Sequence, residues 1–274
     1  MKPDHLIQKL RGGNNIYGTS VVSTSPVWSQ AVSTAGLDFV FIDTEHIPID
    51  RAELTFLCQT YQALGITVFV RVPGPDPCLA CMARDAGALG IVAPSVEKVE
   101  QVRELVGAVK YRPLKGARLH NVLLGRKELK PALKVYLEEY NRGSMCVIDI
   151  GSMAAVANLN ALLNVPGLDA VMIGPHDLSI NMGLPGQYEH PEFEKVIHGI
   201  IRRTREKGIA AGIHFPENAE RQIKWMKEGV NIVLHSSDML LFSQKLKEDM
   251  AKIKEATGDT TPEHEDACQK KLKE

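Results

Sequence analysis

Short apolar, β-branched runs alternate along the chain with longer segments in which apolar residues return every three or four positions. Eight runs stand out, at 17–22, 39–43, 67–72, 89–93, 145–150, 170–174, 209–214 and 232–235. Each is short enough for a buried strand. The segments between them, among them 52–64, 78–86, 96–109, 153–163, 192–207, 219–228 and 239–256, carry the spacing of amphipathic helices. Strands alternating with helices predict parallel pairing through right-handed crossovers. Eight such units predict a closed α/β barrel, the (β/α)8 TIM barrel, as a single domain. An open doubly wound sheet is the competing architecture. It is disfavoured because no Gly-x-Gly-x-x-Gly follows the first strand, and the pair Gly12-Gly13 precedes it.

Two stretches break the alternation. Residues 94–144 form the one long excursion, with a helix-like piece at each end and a basic, Gly-containing centre at 110–118. From residue 256 the periodicity is lost. The barrel is therefore expected over 1–255 and a polar, frayed tail over 256–274.

Composition narrows the class without naming a function. The 274 residues are 44% hydrophobic and 24% charged, which suits an ordinary globular protein and excludes a collagenous or disordered one. A net charge of −1 with scattered Lys and Arg argues against a nucleic-acid or anionic-membrane partner. No stretch approaches the roughly 20 apolar residues of a membrane span. The start, Met1-Lys2-Pro3-Asp4-His5, lacks the apolar run of a signal peptide, and five cysteines without framework spacing fit a reducing compartment. A cytoplasmic location is the expectation.

In such a barrel the chemistry lies at the carboxyl ends of the strands. There the chain offers Asp43-Thr44-Glu45-His46, Arg71-Val72-Pro73, Asp149, Gly174-Pro175-His176-Asp177 and His214. No lysine lies in any of the eight runs, which disfavours a Schiff-base mechanism. Asp149 and Asp177 are oxygen donors suited to Mg2+ or Mn2+. Asp177 could equally cap a helix, and Asp149 could equally pair with Arg71 inside the barrel. Cys78-Leu79-Ala80-Cys81 has CxxC spacing but falls in a helical segment, and Trp28 and Trp225 read as packing residues. His235-Ser236-Ser237-Asp238 holds the residue types of a hydrolase triad without a nucleophile elbow.

The motifs taken in order, Gly36-Leu37-Asp38-Phe39-Val40-Phe41-Ile42-Asp43-Thr44-Glu45-His46, then Val70-Arg71-Val72-Pro73, then Ile173-Gly174-Pro175-His176-Asp177-Leu178-Ser179, resemble the HpcH/HpaI aldolase family. These are class II pyruvate aldolases similar to 2,4-dihydroxyhept-2-ene-1,7-dioate aldolase. The resemblance implies a (β/α)8 barrel assembled as a homo-oligomer, a hexamer built as a trimer of dimers. It implies a divalent metal, Mg2+, Mn2+ or Co2+, chelated by a 2-oxo acid, with an aldehyde as the second small molecule. By position His46 matches the acid/base histidine and Asp85 the carboxylate paired with it. Arg71 matches the arginine that contacts the pyruvate oxygen, and Gly174 to Asp177 the turn whose amides hold the substrate carboxylate while Asp177 reaches the metal.

Three positions depart from the family pattern. Where the family carries a metal-binding Glu after the fifth strand, this chain has Gly151, and Asp149 two residues earlier shares the face of that position. His214 stands where the family often has an aliphatic side chain on the aldehyde side. Leu119 replaces the last Gly of a Gly-x-Arg-Gly turn that ends here at Arg118. The expected activity is metal-dependent cleavage or formation of a 4-hydroxy-2-oxo acid. The catalytic residues would be His46, Asp85 and Arg71, the metal ligands Asp177 and Asp149, and the substrate contacts Arg71, Gly174, His176, Asp177 and His214. An enolate-using synthase or decarboxylase on the same barrel, or a non-catalytic barrel with a degraded metal site, are the alternatives.

Overall fold

The computed structural model describes residues 4–215 and 219–259. Its strands are β1 (Ile16–Val21), β2 (Phe39–Asp43), β3 (Thr67–Arg71), β4 (Gly90–Ala93), β5 (Met145–Ile150), β6 (Ala170–Ile173), β7 (Ala210–Phe215) and β8 (Ile232–Ser237). They pair in parallel in sequence order and β8 returns to β1, which closes the barrel and excludes the open sheet. Every strand lies within two residues of its expected run. The helices are α1 (His5–Arg11), α2 (Pro26–Ser33), α3 (Arg51–Ala63), α4 (Pro77–Ala86), α5 (Val99–Lys110), α6 (Gly116–Leu123), α7 (Pro131–Tyr140), α8 (Met153–Leu163), α9 (Pro175–Asn181), α10 (Pro191–Glu206), α11 (Ala219–Lys227) and α12 (Asp238–Thr257).

Helices α1, α6 and α9 have no counterpart in the hydrophobic periodicity, because each spans only seven or eight residues and gives too few repeats to register. Helix α6 turns the basic centre of the excursion into ordered structure. Arg118 accordingly sits in the first turn of a helix, not in the expected loop. Ala256 and Thr257 close α12, so regular structure runs past the expected start of the tail. The rest of that expectation, 260–274, lies outside the described residues. Among the described residues no helix is long and apolar enough to cross a membrane.

Two apolar layers hold the fold. Strand faces and helix faces form the outer one, and Phe39, Phe41, Phe69, Met145, Val147 and Met172 fill the lumen. The lumen is packed tightly enough to dictate glycine. A Cβ on Gly18 would overlap the Phe39 ring, one on Gly90 the Phe69 ring, and one on Gly212 the Met172 sulfur. This packing also places the chemistry. Side chains alternate across a strand, so the period that turns Phe39 and Phe41 inward also turns Asp43 inward. By the same rule Arg71 follows Phe69, Asp149 follows Val147, and His214 follows Gly212. The polar residues form the top layer above an apolar plug.

Candidate active site

The turn after β2 is tied to the end of β3 by its own side chains. In register Asp43 lies opposite Arg71. The Thr44 amide (3.0 Å) and hydroxyl (2.7 Å) both donate to the Arg71 carbonyl, and the Glu45 amide donates to Asp43 Oδ1 at 2.9 Å. Arg71 answers with its guanidinium. Nε donates to Asp43 Oδ1 at 2.9 Å and Nη2 to Oδ2 at 2.5 Å, while Nε lies 3.2 Å from Glu45 and Nη1 3.9 Å from Asp149. Burial works against the charge on Asp43, yet the Arg71 hydrogen bonds and charge hold its carboxyl below the usual range. Burial likewise opposes the Arg71 charge, and the three carboxylates around it more than compensate.

Asp149 closes the other side. Burial pushes its carboxyl up to about 7, Arg71 opposes the rise, and Asp177 and Glu45 add to it. Its Oδ1 is buried and has no hydrogen-bond partner. Asp177 stands in the first turn of α9, whose N-cap is Gly174, so it does not cap the helix. Two glycines make room for the pair. A Cβ on Gly174 would lie 3.1 Å from Asp149 Oδ1 and 3.4 Å from Asp177 Oδ2, so both carboxylates abut one point. A Cβ on Gly151 would meet Asp177 Cβ at 3.0 Å. A side chain at 151 would therefore require Asp177 to give way by a few tenths of an ångström.

These donors suit a hard divalent ion, because an orphaned buried carboxylate oxygen and a second carboxylate border the same glycine and repel one another, which a cation would relieve. Among the described residues no three His, Cys, Asp or Glu side chains cluster as a metal site. A cation would thus take two protein carboxylates and leave its remaining positions to water and substrate.

On the β7–β8 side the groups are neutral. His214 Nε2 lies 3.4 Å from the Ser236 carbonyl oxygen, and burial pushes the imidazole down to about 4. The β1–β8 register shifts between Gly18 and Ser20, and at that irregularity Ser236 adopts a left-handed backbone with φ 53°.

The pairing of His46 with Asp85 does not form within the chain. His46, 50% exposed, has Glu45 Oε2 as its carboxylate neighbour at 3.8 Å, and Asp85 pairs with Arg112. The reason is the direction of α4, which leaves the mouth after β3 and carries Asp85 about 12 Å along the helix from Pro77. The amide cradle at 174–177 is smaller than expected as well. The Gly174 N–H donates to the Ile150 carbonyl at 3.3 Å and also approaches the Asp149 carboxylate, and Pro175 has none, which leaves the amides of His176 and Asp177. His176 is exposed, with Nδ1 3.4 Å from Tyr188 Oη. No triad forms at 235–238: Asp238 accepts from the Val22 and Ser23 amides, and Ser237 caps α12. Cys78 and Cys81 lie in α4, Trp28 in α2 and Trp225 in α11, as the periodicity implied. A groove of about 1350 Å3 runs past Val156, Arg203 and Met226 on the outside of the barrel and includes none of the strand-end groups.

Three contributors were not assigned a role from sequence. Asp43 and Glu45 stand inside the Asp43–His46 motif, and only the fold turns both onto Arg71. Ser236 acts through its carbonyl, and a left-handed residue other than glycine leaves no trace in composition or pattern.

The chain is similar in sequence and fold to known proteins. The HpcH/HpaI aldolase/citrate lyase family matches residues 17–244. The chain is 33% identical over 246 residues to 2-dehydro-3,6-dideoxy-6-sulfogluconate aldolase of Pseudomonas putida, covering 90% of this chain and 94% of that one. It is 34% identical over 247 residues to 2-keto-3-deoxy-L-rhamnonate aldolase of Klebsiella pneumoniae subsp. pneumoniae, covering 89% and 91%. The crystal structure of an HpcH/HpaI aldolase from Desulfitobacterium hafniense superposes with a TM-score of 0.79 at 28% identity, covering 91% of this chain and 96% of that chain.

Proposed function

We propose that this chain, which belongs to the HpcH/HpaI aldolase/citrate lyase family and is a carbon–carbon lyase, cleaves a 4-hydroxy-2-oxo acid into a pyruvate-type 2-oxo acid and an aldehyde, aided by Mg2+ or Mn2+. The observation that carries this reading is the convergence of Asp149 and Asp177 on one point beside the Arg71 guanidinium. A divalent ion held by those two carboxylates would supply Lewis-acid stabilisation of the enolate form of the 2-oxo acid.

The chain's own groups do the rest. Arg71 brings a permanent, planar positive charge to the oxygen that becomes anionic. Asp43 and Glu45 orient it, so its geometry does not depend on substrate. His46 takes the proton from the 4-hydroxyl as the C3–C4 bond breaks, with Glu45 in place of Asp85 as the carboxylate beside the ring. The electron pair of that bond becomes the enolate, and protonation at C3 completes the 2-oxo acid. The amides of His176 and Asp177 face the substrate carboxylate.

A homo-oligomer is part of the same reading. Helix α12 exposes Phe242, Leu246, Met250 and Ile253 at helical spacing, an apolar stripe that a partner surface would cover. Sedimentation velocity measures that assembly.

The decisive experiment for the chemistry is Mn2+-dependent exchange of pyruvate methyl protons with deuterated water, followed by NMR. Exchange is the expected result because it reports enolate formation without any aldehyde. Its absence across Mg2+, Mn2+ and Co2+ overturns the assignment.

A further inference from the structure

The groove on the outside of the barrel carries a polar corner at the end opposite the mouth, where β7 and β8 begin. Asn231 stands just before β8 and is 3% exposed. Its Oδ1 accepts from the Ala211 amide at 3.0 Å, which fixes the direction of the side-chain amide and leaves Nδ2 on its other side. Nδ2 is buried and has no hydrogen-bond partner, yet Asn231 lines the groove. Arg205 supplies charge at the same corner. Its Nη1 donates to the Ile209 carbonyl at 3.2 Å, two residues before Ala211 on the chain entering β7. Two residues of extended chain span about 7 Å, so the guanidinium and the amide are anchored side by side. Gly229 keeps the corner open, since a Cβ there would lie 3.6 Å from Arg205 Cγ. Burial opposes the Arg205 charge, and among the described residues no carboxylate pairs with it. The acids of the groove are engaged or remote. Glu228 faces His198 at 3.3 Å, Glu206 faces Arg202 at 4.0 Å, and Glu192 lies at the other end of α10, about 20 Å away.

We infer that Arg205 and Asn231 form an anion-binding site that takes the oxyanion group of a small organic acid or phosphate ester, with the body of that molecule lying along the groove. One oxyanion can accept from Asn231 Nδ2 and from the free N–H groups of Arg205 together. It thereby satisfies the orphaned donor and neutralises the unpaired charge. A bare ion would leave most of the 1350 Å3 unused, and Val156, Met182 and Met226 offer apolar contact to a longer molecule. The site shares no residue with the mouth, so it stands independently of the aldolase reading.

Inorganic phosphate and acetate are the probes, titrated separately into the full 15N-labelled chain. The Asn231 side-chain amide and the Arg205 Nε–H are followed by NMR, so anions that bind at the mouth do not enter the readout. Both signals are expected to shift saturably with at least one probe, at a dissociation constant of about 1 mM, the reach of two charge-assisted hydrogen bonds. Saturation by phosphate identifies a phosphate ester as the ligand class, and saturation by acetate an organic acid. Arg205→Met keeps the apolar stem, removes the charge, and is expected to weaken binding roughly 10- to 100-fold. Asn231→Asp keeps the acceptor for the Ala211 amide, removes the donor, and is expected to abolish binding. Should the buried Asn231→Asp fail to fold, Arg205→Met carries the test. Arg202→Met, three residues earlier on an exposed side chain beside Glu206, is expected to bind as the wild type does. No saturable shift with either probe, binding that survives Arg205→Met, or an equal loss in Arg202→Met each overturns the inference.

Discussion

The two halves of the barrel mouth are built on opposite principles. On the β2, β3, β5 and β6 side, carboxylates are crowded around one guanidinium, and one carboxylate oxygen of Asp149 is left with nothing to accept. On the β7 and β8 side, a neutral imidazole faces a backbone carbonyl that a strained residue holds in place. Electrostatics organises the first half and hydrogen-bond geometry the second. Charge that is imperfectly balanced at rest is what a cation and a developing oxyanion can use, whereas a neutral, directional surface can sort uncharged partners. The difference separates a charged half of the mouth from a neutral one.

Removing Arg71 should break the acidic half most severely. Arg71→Ala is expected to lower kcat/KM by about 100- to 1000-fold, the cost of one lost oxyanion donor, while Asp43 and Asp149 lose their neutralising partner. Steady-state assays with pyruvate exchange measured alongside check both consequences, and an unimpaired variant removes Arg71 from the mechanism.

The neutral half should reveal itself through pH. Burial lowers the folded-state pKa of His214 from 6.5 to about 4, so the unfolded chain binds the extra proton between those values. The contribution to stability is present above pH 6.5 and is lost as pH falls through about 4, on the order of 3 kcal/mol over that window. In urea titrations from pH 7 to 4 the wild type should lose stability relative to His214→Gln; Asp149, raised to about 7, contributes with the opposite sign in both proteins, so the difference between them carries the His214 share. Equal slopes in both proteins would place the acid sensitivity elsewhere.

Smaller effects separate the two carboxylates from their surroundings. Asp149→Asn keeps the shape and removes the charge, and should weaken Mn2+ binding by roughly 10- to 100-fold in a direct titration. Gly151→Ala should weaken it only a few-fold, by displacing Asp177 through a Cβ contact of 3.0 Å. Gly151→Glu is the sharper version. If it tightened Mn2+ binding, Asp177 would have to yield its place without loss.

Much of the fold was legible because both of its periods are written in the chain. The two-residue alternation that put Asp43, Arg71, Asp149 and His214 on inward faces is a local property, readable once the strands are located. The relation of His46 to Asp85 was not. It depends on how far α4 travels before Asp85 appears, and Arg112, brought close only by packing, supplies Asp85 with its partner. Gly151 illustrates the same limit. In the sequence it is a missing ligand, but in the structure it is the clearance that lets Asp177 approach, a fact that belongs to two residues on different elements. Ser236 is the extreme case, since its contribution comes from a backbone angle.

The plug beneath the mouth governs traffic. With Phe39, Phe69 and Met172 wedged against Gly18, Gly90 and Gly212, side chains fill the barrel axis beneath the mouth. Under the aldolase reading, both fragments of a cleaved molecule would leave by the mouth, so whichever lies deeper would wait for the other to clear it.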